Sequence, residues 1–450
     1  MGQRRNRGDT SALILLGKCI EQARVSNKFD SNVWLDIHTP HVVFVCGRRG
    51  TGKSYDLGIL AEGLTLGHDS NIATKDTAIT TVFFDTQNQF WALLNAPDER
   101  LEEDREQLNQ LEKWGIPANQ IPSAKLFAPS GDPSIHPNVV EFAIDPTELE
   151  LEDWCGLFGL EVYSPQGQLI RNLLNKVARD GYSVSEGVGR QGHRIVAAQA
   201  LYDFPDLIAC LKQDIELSEQ SQRQTRDAIL WKLEALRDSK VFQKRGWDVL
   251  EVLKPGQLSI FLLRNLDDST KSLVVSIIAK KIFRIMGKYH TERKVAERAG
   301  KPLPQDYASL PRGVWTLIDE AHIICPSDSH TAAKPILIEY VKRGRDAGLS
   351  LVLATQQPSA VDSRVVSQVD LLIAHRLVVD ADISAALARV PADFPNDVSF
   401  GATRISDRFA LVRALETGEA WVADAETNRA ILLVMRPRVS AHGGDEPKVV

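Results

Sequence analysis

Residues 47–54 have the types and spacing required to bind a nucleoside triphosphate. The segment Gly47-x4-Gly52-Lys53-Ser54 satisfies the Walker A pattern. Its glycines allow successive backbone N–H groups to face phosphate oxygens, and the helix that follows directs its positive N-terminal end at the same anion. Lys53 can neutralise the β- and γ-phosphates, and the Ser54 hydroxyl can ligate Mg²⁺. The predicted phosphate-binding residues are Gly47, Arg48, Arg49, Gly50, Thr51, Gly52, Lys53 and Ser54.

A second motif supplies the carboxylates that this chemistry needs. The apolar run Val314–Ile318 ends in Asp319 and Glu320. A carboxylate at a strand end beside the phosphate loop can coordinate Mg²⁺, and a second one can polarise the attacking water. We therefore predict that Asp319 is the metal-side carboxylate and Glu320 the catalytic base. The alternative is an ordinary solvated strand end, which is less consistent with a Walker A loop in the same chain.

Polar residues also follow the next apolar run, LSLVLA. Gln356 lies at the end of this run, where its amide can hydrogen-bond the γ-phosphate or the attacking water. Just before the run, Arg343 and Arg345 carry the guanidinium that an arginine finger uses to stabilise transition-state charge. Either arginine can equally form an ordinary surface salt bridge. We predict catalytic roles for Gln356 and Arg345.

An α/β fold must position these residues, because apolar, β-branched runs alternate with helical patterns along the chain. Several runs are continuously apolar, as in parallel strands that are covered on both faces. We predict a mostly parallel sheet with strands at His41–Cys46, Thr80–Phe84, Ala124–Phe127, Leu258–Leu263, Val314–Ile318, Ser350–Ala354 and Leu371–Ala374. Two more strands, Glu419–Val422 and Ala430–Met435, are predicted as antiparallel edge strands.

The region from about Pro146 to Ser239 lacks clear strands and is rich in helical patterns, including Gln166–Ala178 and Glu216–Arg237. The charged run Asp98–Lys113 is typical of a solvated surface helix. The predicted organisation is an N-terminal arm (1–35), a first core part (36–145), a mainly helical insertion (146–254), a second core part with the C-terminal strands (255–437) and a tail (438–450).

Composition narrows the class of protein further. The chain has 450 residues, of which 43% are hydrophobic and 25% charged, so it can bury one large core or two ordinary ones. The formal charge of −6 requires any polyanion-binding surface to be a local patch. The apolar runs are too short to span a membrane, and no signal-peptide core is evident, so we expect a cytoplasmic protein. Five dispersed cysteines indicate neither a disulfide framework nor a thiolate zinc site.

In order and spacing, the motifs resemble those of HerA-type ATPases, in the FtsK/HerA group of RecA-like P-loop motors. The resemblance rests on GRRGTGKS, LIDEAH, KRGRDAG followed by LVLATQQP, QVD with LLIAHRL, and RPRVSAHGG. These segments cover the Walker A neighbourhood and most of the chain from about 255 to 444.

The resemblance implies an ATP-hydrolysing ring, a homo-hexamer that translocates along or unwinds duplex DNA beside a nuclease or other effector protein. The implied cofactors are ATP and Mg²⁺. Residue by residue, the family's Walker A pair matches Lys53 and Ser54, its Walker B pair Asp319 and Glu320, its sensor glutamine Gln356, and its arginine finger, which acts across the subunit boundary, Arg345.

Two departures from the family pattern matter. Archaeal members carry an N-terminal β-barrel, whereas 46 residues precede Gly47, so we expect a chain without that barrel. Where many relatives have Asp-Pro-x-Gly-Glu-Tyr, this chain has Asp85-Thr86-Gln87-Asn88-Gln89-Phe90, which keeps the aspartate and loses the glutamate.

Two basic segments are candidates for DNA contact. Tyr182–Arg194 combines three glycines with three basic side chains, although a surface excursion explains it equally well. The helix predicted from Lys271 to about Lys294 repeats Lys280, Arg284 and Lys288 at i+4, but a solvated basic face accounts for that pattern without DNA.

One alternative function stays open. An ATP-gated ring scaffold that assembles and regulates an effector, such as a nuclease in anti-phage defence, would bind ATP without processive translocation. We do not expect a DEAH-box helicase, because its two nucleotide motifs normally lie closer together and its second RecA-like domain does not fit into the residues that follow Glu320.

Overall fold

The computed structural model describes residues 12–20, 31–75, 78–132, 136, 138–185, 193–388, 398–400, 403–405 and 407–443. Its strands are β1 (Leu13–Cys19), β2 (Asn32–Asp36), β3 (Val42–Cys46), β4 (Thr80–Asp85), β5 (Ala124–Pro129), β6 (Val140–Phe142), β7 (Tyr182–Ser185), β8 (His193–Val196), β9 (Leu258–Leu262), β10 (Val314–Ile318), β11 (Leu349–Thr355), β12 (Leu371–Ala374), β13 (Val398–Phe400), β14 (Thr403–Ile405), β15 (Glu419–Asp424) and β16 (Arg429–Met435).

The α-helices are α1 (Lys53–Thr65), α2 (Glu102–Trp114), α3 (Leu151–Phe158), α4 (Pro165–Asn175), α5 (Phe204–Gln213), α6 (Ile215–Gln220), α7 (Arg223–Leu236), α8 (Asp268–Ala299), α9 (Ala321–Ile324), α10 (Ala333–Arg343), α11 (Ser363–Val366), α12 (Asp380–Leu387) and α13 (Arg408–Ala414). Shorter 3₁₀ turns lie between them, among them Phe90–Leu94 and Gly344–Ala347, and one π-helical turn, Lys176–Asp180, extends α4. None of the helices in the described ranges is long and apolar enough to traverse a membrane.

Twelve strands form one sheet in the order β2-β1-β16-β15-β12-β3-β11-β10-β4-β9-β5-β6. The eight strands from β12 to β6 pair in parallel, and the other four are joined to them and to each other by antiparallel pairing. The predicted α/β fold with a mostly parallel sheet is confirmed. Each predicted core strand is present, and β10 and β12 have the predicted bounds.

The sheet differs from the prediction at its antiparallel end. The C-terminal strands β15 and β16 are antiparallel as predicted, but the prediction that they lie at the edge is wrong. Strands β1 and β2 lie outside them, and all but the last residue of these two strands belongs to the segment that we assigned to an N-terminal arm. Lys18 pairs with Val434 across β1 and β16, so the start of the chain completes the sheet beside its end.

Strand alternation distributes the core over both faces of the sheet. Val43 and Val45 of β3 point into one core with α1, whereas Phe44 and Cys46 point into the other with α8 and the helices α3–α7. Because each central strand is buried on both sides, its sequence is apolar throughout. This explains why the amino-acid sequence predicts these strands.

The predicted helical region lies between β6 and β9 and comprises α3–α7. It also contains the antiparallel hairpin of β7 and β8, which the sequence analysis did not anticipate. The predicted helix over Glu216–Arg237 is two helices, α6 and α7, interrupted at Ser221–Gln222. The predicted surface helix at Asp98–Lys113 is α2, whose exposed face is charged.

Candidate active site

Five adjacent parallel strands, β12, β3, β11, β10 and β4, end at the same edge of the sheet. The phosphate loop follows β3, Gln356 follows β11, and the acidic pair follows β10. Asp85 is the last residue of β4, and His375 follows β12. Ligand sites of parallel sheets lie at the carboxyl ends of the strands, so this order brings motifs from distant parts of the chain together.

The phosphate loop has the backbone shape that its glycines permit. Gly50 and Gly52 adopt positive φ angles of 75° and 122°, which an L side chain rarely tolerates. α1 begins directly afterwards at Lys53, so its free N–H groups face the loop. The Thr51 hydroxyl donates to the Arg48 carbonyl at 2.8 Å and closes the loop on itself.

Lys53 is almost fully buried at the base of this loop. Its Nζ donates to the backbone oxygen of Arg48 at 2.9 Å. Burial lowers the pKa of the Lys53 ammonium, and the carboxylates of Glu320 and Asp319 oppose that shift. The lysine is therefore held between the loop and the acidic pair, in reach of an anion that enters from the cleft.

Asp319 and Glu320 are both buried at the end of β10. Asp319 Oδ1 accepts from the backbone N–H of Glu320 at 3.0 Å. Glu320 has a positive φ of 50°, an unusual conformation for a non-glycine residue and one that is associated with functional sites. This backbone turn directs the Glu320 side chain into the cleft and leaves Asp319 beneath it.

The acidic pair fits a bound Mg²⁺. Asp319 Oδ2 is buried and makes no hydrogen bond, and a buried carboxylate oxygen in this state is costly unless a cation or proton neutralises it. Burial raises the pKa of the Asp319 carboxyl to about 8, and the neighbouring Glu320 and Asp85 act in the same direction. Carboxylate and hydroxyl oxygens are the ligands that Mg²⁺ prefers, and Asp319 with Ser54 could supply them.

Gln356 contacts Glu320 directly. Its Nε2 donates to Glu320 Oε1 at 2.5 Å, so the sensor amide and the predicted base are coupled. On the other side, Nδ1 of His322 lies 3.4 Å from Glu320 Oε2 and 3.1 Å from the Thr355 hydroxyl. The Glu320 carboxylate is thus positioned by groups from β11 and from the short helix α9.

A cleft of about 820 Å³ opens at these residues. The phosphate loop, Glu320 and Gln356 line one part of it. The other part is lined by Gln87, Gln89 and α2, and by C-terminal residues that include Met435–Pro437 and His442. A volume of this size suits a drug-sized or nucleotide-sized ligand.

The C-terminal segment 436–443, which includes the start of the predicted tail, packs on α1. Arg436 and Arg438 are fully buried and pair with the buried Glu62 of α1, at 2.8 and 3.4 Å. The backbone N–H of Arg438 donates to the Tyr55 hydroxyl at 2.7 Å. These contacts explain why RPRVSAHGG lies near the phosphate loop although Arg436 is 382 positions after Ser54 in the chain.

The predicted finger residue lies apart from the cleft of its own chain. Arg345 is 61% exposed and pairs with Glu426 at 3.0 Å. Arg343 pairs with Glu339 of the preceding helical turn at 3.1 Å. Arg48 and Arg49 are both exposed on the phosphate loop, and Arg49 lines the cleft. The structure thus brings together all predicted site residues except Arg345, while Arg48 stays at the loop's outer side.

Sequence reasoning missed three polar residues at this edge of the sheet: Asp56, His322 and His375. Asp56 lies two positions after the Walker A motif, in GKSYD, and His322 and His375 lie within the segments LIDEAH and LLIAHRL. A search for polar side chains directly after each continuously apolar strand would have found His375. The retained Asp85 accepts from the N–H groups of Gln87 and Phe90, so it stabilises the turn after β4.

Of the two candidate DNA-contact segments, the structure describes α8 fully and the segment Tyr182–Arg194 only in part. Lys280 of α8 bonds to Asp153 at 2.8 Å and Lys281 to Glu148 at 2.6 Å, so ion pairs to the residues around α3 neutralise much of this basic face. The interpretation of α8 as a helix with a charged outer face is therefore favoured over DNA contact. The centre of the other segment, residues 186–192, lies outside the described residues.

We expect Mg²⁺–nucleotide binding to release about one proton at pH 7, because the raised pKa of Asp319 leaves this carboxyl mostly protonated until a metal displaces the proton. In the metal-free protein, protonation of Asp319 contributes stability that is complete below the unfolded pKa of ~3.9 and is lost as the pH rises through about 8. Calorimetry with a non-hydrolysable ATP analogue, in buffers of different ionisation enthalpy, measures the release. It should vanish at pH 9 and in Asp319→Asn; equal release at pH 7 and pH 9 would contradict the assignment.

Comparison with known proteins identifies the family of the chain. Residues 14–282, more than half of the chain, match the family model described as the central domain of the helicase HerA. Among curated proteins, the chain is 26% identical over 221 residues to the DNA double-strand break repair helicase HerA of Sulfurisphaera tokodaii, covering 48% of this chain and 39% of that protein. It is 23% identical over 287 residues to the protein of the same name in Sulfolobus acidocaldarius, covering 63% and 52%. The chain therefore spans about two fifths to one half of the length of these relatives.

Two solved structures share the fold over nearly the whole chain. VirB4 of Thermoanaerobacter pseudethanolicus aligns with a TM-score of 0.55 and 13% identity, covering 96% of this chain and 97% of that one. The bacterial conjugative coupling protein TrwB aligns with a TM-score of 0.50 and 12% identity, covering 98% and 99%. This likeness identifies the fold as that of the RecA-like P-loop ATPases.

Proposed function

Since this chain belongs to the family of the HerA helicase central domain, we propose that it is an ATPase that couples ATP hydrolysis to movement along duplex DNA. One observation carries the proposal. Lys53, Ser54, Glu320 and Gln356 line a single cleft, with the unpartnered oxygen of Asp319 beside it.

The residues divide the chemistry among them as follows. The loop amides and Lys53 bind the phosphates, and Ser54 and Asp319 hold Mg²⁺, which when bound neutralises charge on the phosphate oxygens. Glu320 orients and deprotonates the attacking water. Gln356 donates a hydrogen bond to Glu320 and follows β11 directly, so it can act as the sensor that connects the γ-phosphate to the end of this strand.

The position of Arg345 supports a ring in which each site is completed by a neighbour. Its side chain is exposed and lies outside the cleft of its own subunit, as a residue that acts on an adjacent subunit must. An arginine finger in trans is a common solution in P-loop ATPases. We infer a homo-oligomer, and the family resemblance supports a hexamer.

Duplex DNA and an effector protein are the proposed partners. The relatives from Sulfurisphaera and Sulfolobus are named as DNA double-strand break repair helicases, which supports DNA as the polymer that is moved. A nuclease is the proposed effector class, because the family that the motifs resemble often works beside a nuclease.

Displacement of a protein roadblock from linear duplex DNA tests this function. We expect ATP-dependent displacement by the wild-type protein, alone or with the product of a neighbouring gene, and none by Glu320→Gln, which binds ATP but lacks the base. A wild-type protein that hydrolyses ATP without displacing the roadblock would exclude the motor. That outcome would favour the ATP-gated ring scaffold, in which ATP controls assembly with an effector.

A further inference from the structure

A buried histidine–aspartate pair lies directly beneath the phosphate loop. Nε2 of His375, at the end of β12, is 2.7 Å from Oδ2 of Asp56 in the first turn of α1. Both side chains are shielded from solvent, with exposures of 0% and 1%. Nδ1 of His375 lies 2.8 Å from the backbone oxygen of Glu419 in β15. The pair therefore links the phosphate-loop helix to two strands of the sheet.

His375 also contacts the loop itself. A Cβ on Gly47 would lie 2.7 Å from the Cβ of His375, and one on Gly52 would lie 3.2 Å from its Cε1. Between these two glycines, the N–H of Arg48 donates to the backbone oxygen of Arg376 at 2.9 Å. His375 thus packs against both ends of the loop, with its Cβ at Gly47 and its ring at Gly52, and the backbone of Arg376 holds the loop near its start.

Hydrogen-bond chemistry fixes the ring in place. The Glu419 carbonyl is an acceptor, so Nδ1 of His375 donates to it. A second buried hydrogen bond joins Nε2 to Oδ2 of Asp56. A ring held in this way cannot rotate out of the space below the loop without losing two buried bonds.

The second carboxylate oxygen of Asp56, Oδ1, is one of several buried oxygens at the site that make no hydrogen bond. Three carboxylate oxygens in the described ranges are buried without a hydrogen bond: Asp56 Oδ1, Asp319 Oδ2 and Glu320 Oε2, the last of which lies 3.4 Å from His322 Nδ1. Asp56 and Glu320 line the cleft, and Asp319 is the neighbour of Glu320 in the chain. Unsatisfied buried groups concentrate where a ligand or ion completes the structure. Asp56 shares this property with the two residues to which we assign the metal and the catalytic base.

We propose that His375 and Asp56 are positioning residues of the nucleotide site. They hold the phosphate loop from below, so that affinity for the phosphates depends on the hydrogen bond between His375 Nε2 and Asp56. This inference rests on the proposed function, because it concerns the same site. A buried pair that served stability alone would leave phosphate affinity unchanged when the bond is removed.

Variants of His375 separate these roles, because different side chains preserve different bonds. In His375→Gln the amide nitrogen can replace Nε2 and donate to Asp56. In His375→Asn it replaces Nδ1 and reaches Glu419 only, and His375→Leu makes neither bond. Calorimetric titration with Mg²⁺–ATPγS and with Mg²⁺–pyrophosphate measures the affinity for the whole nucleotide and for its phosphate part.

We expect His375→Leu and His375→Asn to weaken both ligands about tenfold or more, and His375→Gln to recover affinity to within a few-fold of wild type. Should His375→Leu fail to fold, Asp56→Ala and Asp56→Asn answer the same question, since the asparagine keeps an acceptor and the alanine does not. Wild-type affinity in His375→Leu or Asp56→Ala, or equal affinities of the Gln and Asn variants, would overturn the proposal.

His41 provides a matched control at the opposite end of β3. It is also buried, its Nε2 lies 2.8 Å from the Asp36 backbone oxygen, and its Nδ1 lies 3.4 Å from Asp370. His41→Leu should lower the unfolding temperature and leave phosphate affinity unchanged.

The same titrations of Lys53→Ala distinguish failure of this inference from failure of the proposed function. If Lys53→Ala binds Mg²⁺–ATPγS as tightly as the wild type does, the assignment of the nucleotide site is wrong. If Lys53→Ala does not bind the ligand and the His375 variants bind it with wild-type affinity, only this inference fails.

Discussion

Lys53→Ala should abolish the rise in unfolding temperature that Mg²⁺–ATP gives the wild-type protein. A ligand at 100 times its Kd stabilises the folded state by about 2.7 kcal/mol, which raises the unfolding temperature of a chain of this size by a few degrees. The lysine is the buried cation at the base of the phosphate loop, and its Nζ already lies against the Arg48 carbonyl that the phosphates would approach. Without it, the phosphates would face Glu320 and Asp319 with no positive side chain between them. Thermal unfolding with and without Mg²⁺–ATP measures the loss.

Lys75→Ala is the matched control for this result. Lys75 is also buried, and its Nζ donates to the Leu66 backbone oxygen at 2.6 Å, just beyond the other end of α1. This variant should unfold at a lower temperature than the wild type yet keep the full rise with Mg²⁺–ATP. An undiminished rise in Lys53→Ala would refute the assignment of the site.

The sequence predicted the central sheet and most of the site for one physical reason. Strands such as β10 and β11 are buried on both faces, so they appear as uninterrupted apolar runs, and a polar residue that ends such a run must lie at a sheet edge. The parallel arrangement then places Lys53, Glu320 and Gln356 at one edge. Their order along the chain did not need to be known.

The missed features depend on tertiary pairing that no local pattern encodes. β1 pairs with β16 at the far end of the chain, and β2 pairs with β1, so the place of both strands in the sheet depends on a contact between distant segments. The prediction that β15 and β16 are edge strands is wrong because β1 pairs with β16 and β2 pairs with β1, and both of these strands lie near the N-terminus. The positive φ of Glu320 and the bond between His375 and Asp56 are likewise products of the assembled sheet.

The ion pairs of α8 show the same limit. A basic face at i+4 spacing is compatible with DNA or with acidic neighbours, and only the position of Glu148–Asp153 decides between them. Composition left the question open as well, since a net charge of −6 says nothing of where the cations lie.

Arg345→Ala should reduce the rate of ATP hydrolysis by about a thousandfold or more while leaving ATP binding intact, because an arginine finger contributes about 10³–10⁵ to kcat. Arg343→Ala is the matched control. This neighbouring arginine is also exposed and pairs within its own helix, so its loss should change the rate little. Steady-state hydrolysis gives the rates, and thermal unfolding with Mg²⁺–ATP verifies binding. Unimpaired hydrolysis by Arg345→Ala would exclude the finger, and a loss confined to Arg343→Ala would transfer the role to that residue.

Mixing two inactive variants then decides whether Arg345 acts across subunits. Arg345→Ala subunits keep an intact phosphate loop, and Lys53→Ala subunits keep an intact Arg345. If the arginine completes the site of a neighbour, rings assembled from both should contain some active interfaces, and hydrolysis should exceed that of either variant alone. If Arg345 acts on its own cleft, no mixed ring has a complete site, and activity stays at the level of the separate variants. The distance of Arg345 from the cleft in one chain, where it pairs with Glu426, leads us to expect recovery.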